Sequence, residues 1–482
     1  MCAAINLQEI EDAFLAFAWG TLAPEARAKI LAKNPKTFWL FGAGASHHYN
    51  LNAFGVPIPL ASGFFKAYHR LPTSQGFHAH VGPFTNFLRE ERGVTPERVS
   101  EFDENVEAFM TSIESEVEEL RETARVRNLN GDEFGRASSY AMVFNNMTFI
   151  FANVLNEAQN GASMSLYGAI LEFCSPNDLF ATFNWDTLLD RALLDTGGWN
   201  PNTGYGLTFR GVLDGSWKNS FEGEVKFATK WKLLKLHGST NWLVPYMGVD
   251  FREWEFQPVV AQADDIFLYW HSSMPYATHK SRWRGGYVPS TYCYYPPNLP
   301  SYFFEEGQLA APPGKIFAKM TPRLLAPFKE EDPTGSIPSS PVLITPVRQK
   351  KYDVYRSSIQ SLWSQAVSGL EDATRIVIIG YSFPPTDTRP LDLIRGLLAA
   401  RGKEMTIEIV TPDGAEIAKR IGEDVLAYAK EVKLHKMLFE EYVELLSEAA
   451  PRLMRRAAAE DPEVQQWLER IYLLNKYGTS RE

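Results

Sequence analysis

Thr37-Phe38-Trp39-Leu40-Phe41-Gly42-Ala43-Gly44-Ala45-Ser46 is the stretch that decides the fold. Its first half is an uncharged, strongly apolar run that stops at a glycine. A strand buried on both faces reads this way, whereas a strand with one wet face would alternate apolar and polar residues. Gly42 and Gly44, two apart, then allow a tight strand-to-helix turn and let backbone N–H groups approach a pyrophosphate at a helix start. The plainer reading is a glycine turn that serves packing alone. A three-glycine dinucleotide fingerprint would require glycine where this chain has His47.

Working outward, similar runs recur at Asp178-Leu179-Phe180-Ala181-Thr182-Phe183, Lys232-Leu233-Leu234-Lys235-Leu236, Val342-Leu343-Ile344, Arg375-Ile376-Val377-Ile378-Ile379 and Thr406-Ile407-Glu408-Ile409-Val410. Helical patterns separate the last three, and a helix is expected from Asp186 to Leu194. Short apolar strands alternating with helices predict an α/β fold: a Rossmann-like parallel sheet with helices on both faces. Residues 1–34 read as an N-terminal helical segment, 35–415 as the sheet domain and 416–482 as a C-terminal helical segment. Two insertions interrupt the sheet domain. Residues from about 83 to 174 read as mostly helical, including the acidic stretch EFDENVEAFMTSIESEVEELRETARVR. Residues 246–341 read as loop-rich: of the chain's 30 prolines, 14 fall between Pro258 and Pro346 among many Tyr and Trp. That is too much proline for a regular sheet and too much aromatic residue for a disordered linker.

With 482 residues, 45% hydrophobic and 22% charged, the chain has the composition of a folded globular protein. Its net charge of −10 and pI near 5.6 argue against broad binding to nucleic acid or anionic membranes. Cys2, Cys174 and Cys293 form no CxxC pair, so no structural zinc site or disulfide framework is expected. No apolar run approaches the ~20 residues of a membrane span. The first residues carry acids and no basic-then-apolar leader pattern, and a cytoplasmic location is expected.

Five strand ends carry polar residues where open parallel sheets bind ligands. The first is the Gly42–Ser46 turn. The second is Thr182-Phe183-Asn184-Trp185-Asp186, which delivers Asn184 to a strand end, with Asp186 either touching a ligand or capping the next helix. The third is His237-Gly238-Ser239-Thr240-Asn241-Trp242, where a neutral imidazole could act as general base and a structural histidine is the plainer alternative. The fourth is Gly380-Tyr381-Ser382-Phe383-Pro384-Pro385-Thr386-Asp387, a Gly-x-Ser turn able to hold phosphate or ribose. The fifth is Val410-Thr411-Pro412-Asp413. His47 and His48 read as surface or capping residues, and the His78-x-His80 pair lacks companions for a metal.

Taken together, these segments resemble the bacterial branch of the sirtuin-like family, which reads GAGxS, TxNxD, LHGSxxW and GYSxPxxD in this order. The resemblance spans about Thr37 to Asp413 with long insertions. It implies oxidised NAD bound as substrate at the carboxyl edge of the sheet, with Asn184 and His237 as the catalytic pair and no metal. It further implies Gly42, Ala43, Gly44 and Ser46 at the pyrophosphate, Gly380 and Ser382 at the adenosine half, and Thr182, Asp186 and Thr411 as further contacts. Pro57, in Phe54-Gly55-Val56-Pro57-Ile58-Pro59, would line the nicotinamide side. Protein-deacylating members carry a four-cysteine zinc ribbon after the histidine, and this chain has only Cys293 there. Members without the ribbon look like NAD-hydrolysing effectors of bacterial anti-phage defence, acting alone or beside a HerA-type ATPase or a short Argonaute. A homo-oligomer, a phage-derived trigger and no direct nucleic-acid binding are the accompanying expectations. The alternatives are a protein deacylase using the same pair, or a non-catalytic nucleotide-sensing assembly subunit; a hydride-transferring dehydrogenase would want the third glycine.

Overall fold

Six parallel strands form the centre of the fold: β1 (Thr37–Phe41), β2 (Leu179–Thr182), β3 (Lys232–Lys235), β4 (Arg375–Ile379), β5 (Thr406–Val410) and β6 (Glu431–His435). The computed structural model describes residues 12–52, 54–71, 81–159, 161, 163–209, 211–214, 216–218, 230–245, 249–250, 255–258, 266–269, 300–301, 319–320, 339–347, 350 and 355–477. Across the sheet the strands run β3-β2-β1-β4-β5-β6. The chain starts in the middle, steps outward to β3, then returns to the other side of β1. That reversal between β1 and β4 opens a crevice at the carboxyl ends of the strands, as in Rossmann-like sheets. Every residue of β1 is buried, as its unbroken apolar run requires. Helices Leu188–Asp195, Arg356–Asp372, Thr388–Arg401 and Gly414–Ile421 lie among the strand connections.

Two readings of the sequence need correction. Val342 and Leu343 do not join the parallel sheet. They belong to Ser339–Leu343, which pairs antiparallel with Gly238–Pro245 in a second, five-stranded sheet that also holds Phe267–Tyr269, Gly211–Asp214 and Ser216–Lys218. An apolar triplet signals burial but not the direction of its neighbour. Pro341 sits where the pairing register shifts, the place where a strand tolerates a missing N–H. The second correction concerns residues 416–482, which are not wholly helical. β6 lies there, and its Glu-Val-Lys-Leu-His sequence is that of a half-exposed edge strand. Most of the proline- and aromatic-rich stretch at 246–341 lies outside the described residues, as do His78, His80, Cys2 and Cys293.

The stretch read as a helical insertion folds as Val81–Arg92, Val106–Val126, Gly131–Ala158 and Ser165–Leu171, with a 3₁₀ turn at Pro96–Glu101. Asn105 caps the second of these by accepting from the amides of Glu107 and Ala108, and Asn130 and Glu133 form a capping box on the third. Phe65, Phe84, Phe102 and Phe109 interlock edge-to-face beneath it. The two ends of the chain share a separate core. Leu15, Trp19 and Leu31 from helices Asp12–Thr21 and Pro24–Leu31 pack on Met454, Ala457 and Leu468 from Ala450–Glu460 and Pro462–Tyr477. No described helix is long and apolar enough to cross a membrane.

One buried carboxylate ties the sheet to the helix Phe439–Ser447. Glu408, on β5, takes a bidentate pair from Arg375 at 2.9 and 3.0 Å and a hydrogen bond from the Tyr442 hydroxyl at 2.9 Å. Burial alone would push its carboxyl up, but the Arg375 hydrogen bonds and charge outweigh it and hold the pKa down at about 2. A depressed carboxylate contributes stability above its unfolded pKa and loses it as pH falls toward the folded value. Glu408→Gln should therefore cost about 3 kcal/mol at pH 7. In denaturant titrations at a series of pH values, its deficit against the wild type should shrink steadily from about pH 4.5 down to 2. A deficit independent of pH would disprove the charge-based account.

Candidate active site

The loops after β1 and β4 are fitted into each other. Gly42 N donates to Ile379 O and Gly44 N to Gly380 O, each at 2.9 Å. A Cβ on Gly42 would stand 2.5 Å from Tyr381 Cα, and one on Gly44 2.9 Å from Gly380 O. Gly380 has φ +62, and a Cβ there would meet Ala45 N at 2.3 Å. These glycines are required by backbone meeting backbone, the packing alternative that the sequence left open. The same interlock floors a cleft of about 580 Å³ at the strand-order reversal, a size suited to a small molecule or cofactor. Phe383, two residues beyond Tyr381, is held at φ +48, a left-handed backbone that a bulky residue adopts only at a cost of order 1–3 kcal/mol. Strain of this kind concentrates at ligand sites.

Asn184 is anchored in the cleft wall. Its Nδ2 donates to Gly42 O at 2.9 Å and to Ser46 Oγ at 3.1 Å, and Thr182 Oγ1 accepts from its backbone amide. Ser46 in turn meets the Tyr167 hydroxyl at 2.9 Å, and burial pushes that phenol well above its usual range, so it stays neutral. Both amide hydrogens of Asn184 are thus committed to the protein, which leaves Oδ1 as the polar atom it can offer a ligand hydroxyl or water. Asp186 Oδ1 accepts from the Leu188 amide at the start of the next helix, and the residue also lines the cleft. Burial raises its carboxyl while the Lys235 ammonium opposes the rise. Lys235, fully buried, also pairs with Asp190 at 3.2 Å.

His237 follows the strand next to the one that delivers Asn184. The β2–β3 register pairs Thr182 with Lys235, so the residues two further on in each chain fall at the same level on neighbouring strand ends. Trp185 Nε1 donates to His237 O at 3.0 Å and Thr240 N to Trp185 O at 3.0 Å, stapling the two loops together. Gly238, at φ +85, lets the chain turn directly into the second sheet, where a Cβ would strike Val342 O at 1.9 Å. The imidazole itself is not in the cleft wall. It packs on Phe183 with ring centroids 4.7 Å apart and sits behind Asp387, its Nε2 3.8 Å from Oδ1. Burial first, and then the Lys350 and Arg389 charges, depress its pKa well below the ordinary histidine value, which makes it a neutral imidazole at pH 7.

Of the residues singled out in the sequence, Ala43, Gly44, Asn184, Asp186, Gly380, Ser382 and Thr411 line one cleft. Gly42, Ser46 and Thr182 stand behind it and orient Asn184, and Pro57 is off the wall while its neighbours Ile58 and Pro59 are on it. Sequence reading missed Glu107, Phe151 and Leu155, which the helical insertion brings to the rim. It also passed over Tyr381 and Asp387, although both stand inside a quoted motif, and Lys350, which no motif marks. His47 Nδ1 donates to Ile58 O at 2.7 Å, and His48 faces Glu440 at 3.4 Å; both touch the cleft. Among the described residues no group of three or more His, Cys, Asp or Glu is placed to hold a metal.

No protein-family model matches the chain, and no curated protein matches it. The site is therefore argued from its own geometry. If the glycine interlock is the element that shapes the cleft, Gly380→Ala should destabilise the protein by about 3 kcal/mol through backbone strain plus collision. Gly93→Ala, also at positive φ but with nothing within 4 Å of the new methyl, should cost only about 1 kcal/mol. Equal costs in denaturant melts would contradict the interlock.

Proposed function

We propose that the protein is an NAD⁺ glycohydrolase that cleaves the nicotinamide–ribose bond to release nicotinamide and ADP-ribose. The observation that carries this reading is the cleft at the strand-order reversal, with Asn184 in its wall and a neutral His237 on the adjoining strand end. Rossmann-like sheets take nucleotides at this point. The bond to be broken leaves a positive charge developing on the ribose while nicotinamide departs neutral. The help required is therefore orientation, exclusion of water and fixed dipoles rather than a strong acid.

In this reading the pyrophosphate lies over Ala43 and Gly44, and the adenosine half lies toward Ser382 and Thr411. Ile58, Phe151 and Leu155 supply apolar walls for the nicotinamide ring. Asn184 Oδ1, fixed by Gly42 and Ser46, accepts from the attacking water or a ribose hydroxyl and turns its lone pair toward the anomeric carbon. His237 receives the proton as charge develops. The same parts fit an NAD-depleting effector of bacterial anti-phage defence, the setting that the sequence resemblance implies. One observation favours a second reading, a nucleotide-binding assembly subunit without turnover: His237 is screened from the cleft by Asp387 and Phe183.

Chromatographic measurement of nicotinamide release from NAD⁺ separates the readings. The first predicts consumption with no acylated peptide present and no effect of a chelator. Asn184→Ala should lower the rate by about 10²–10³ and His237→Ala by about 10²–10⁴, with both variants still folded. Because His237 is neutral at pH 7, the rate should decline only on the acid side, below the usual histidine range. Tight NAD⁺ binding with no product over hours would favour the second reading. Full activity in both alanine variants would end the catalytic assignment.

A further inference from the structure

At the cleft wall, one oxygen of the Asp387 carboxylate faces two cationic or potentially cationic partners that lie behind it. Asp387 Oδ2 accepts the Tyr381 hydroxyl at 2.7 Å, and Asp387 N donates to Pro384 O at 2.8 Å, so both its carboxylate and its backbone are anchored. Its Oδ1 is in direct contact with the Lys350 ammonium and lies 3.8 Å from His237 Nε2. All three side chains are about 95% buried. Tyr381 also packs tilted against Phe183 at 4.4 Å, and Phe183 against His237 at 4.7 Å, which fixes the imidazole relative to the carboxylate. Burying this set is unfavourable unless its members pair, and nothing in the packing of the sheet demands it.

We propose that Asp387 is the positioning residue of His237, and that Lys350 governs it by occupying the carboxylate oxygen toward which the imidazole points. The inference rests on His237 acting as the base of the proposed hydrolysis. A buried carboxylate facing an imidazole alone favours the imidazolium, which cannot accept a proton. With the ammonium on the same oxygen, the local charge is balanced and the imidazole stays neutral, with a lone pair free to accept a proton. When His237 takes a proton from water or ribose, the new imidazolium finds Asp387 already aligned, and closing the gap by under ~1 Å makes a charge-assisted hydrogen bond. The proton moves from substrate oxygen to histidine nitrogen, and no other bond changes in this step.

The remaining charges around the imidazole fit this arrangement. Arg389 lies over the Trp363 ring at 4.4 Å and adds positive field at His237. Glu107, from the helical insertion, accepts from Thr386 Oγ1 at 3.3 Å and faces Lys350, whose pKa is drawn down to about 8 by burial with Glu107 opposing. Lys350 follows the strand Ser339–Leu343, which is paired with the strand that leaves His237, and Ile344 N donates to His237 O at 2.9 Å. Both the helical insertion and the return from residues 246–341 thus reach the lysine that governs the base.

The test is the titration of the His237 imidazole, followed by NMR of histidine-labelled full-length protein and assigned with His237→Gln. Lys350→Met should raise the His237 pKa by about one unit or more, because the bare Asp387 charge then faces the ring. Lys350→Arg should restore the wild-type value. Asp387→Asn should leave the imidazole low and, in NAD⁺ turnover, reduce kcat at least about tenfold with KM little changed. An unchanged His237 titration in Lys350→Met overturns the proposal, whatever the activity, and full kcat in Asp387→Asn overturns the positioning role. Should Asp387→Asn fail to fold, the lysine variants decide alone. A wild type that consumes no NAD⁺ would sink the proposed function, while the titration would still decide the Lys350–Asp387 coupling.

Discussion

The contact on which the structure depends is backbone against backbone: the turn after β1 seated in the turn after β4, closed by Gly42 N to Ile379 O and Gly44 N to Gly380 O. Only glycine fits at the three points of closest approach. From this joint the rest of the site is hung. Gly42 O receives the Asn184 amide, Ala43 and Gly44 floor the cleft, and Tyr381 rises from the facing loop to grip Asp387. A methyl group at the joint would separate the two halves of the sheet's upper rim. It would disturb both sides of the cleft at once.

The site also gathers features that an ordinary core avoids. Lys235 and Asp190 are fully buried together, Asp186 is buried with its carboxyl raised, and Phe383 holds a left-handed backbone. Each of these costs stability, and each stands within one turn of the cleft or directly behind it. Elsewhere the sequence obeys local rules: apolar strands at the centre, capped helices, a charged edge strand. Their gathering beside one cleft supports the functional proposal made for it, alongside buried carboxylates at Asp178 and Glu408 that serve the sheet itself.

What the sequence made legible follows the same physics. β1, β2, β4 and β5 are buried on both faces, so composition alone reveals them. β6 escaped because an edge strand half in water alternates charge with apolar residues over only five positions. Val342 and Leu343 were seen as buried and assigned to the wrong sheet, since pairing direction is decided by a partner about 100 residues away. Asn184 and His237 were readable as polar residues ending apolar runs. Asp387 is a short step past the strand, inside a quoted motif, and no role was read for it. Lys350 is visible only when residues 237, 350 and 387 are brought together in space. The glycines were found, but their tight approach to each other was not, because a pattern does not show what a missing side chain makes room for.

The most direct test of the central claim is a crystal structure of the protein with ADP-ribose. The account predicts the diphosphate over Ala43 and Gly44, the distal ribose within hydrogen-bond reach of Asn184 Oδ1, and adenosine toward Ser382 and Thr411. ADP-ribose bound at another surface, or a cleft that stays empty at saturating ligand, would contradict it.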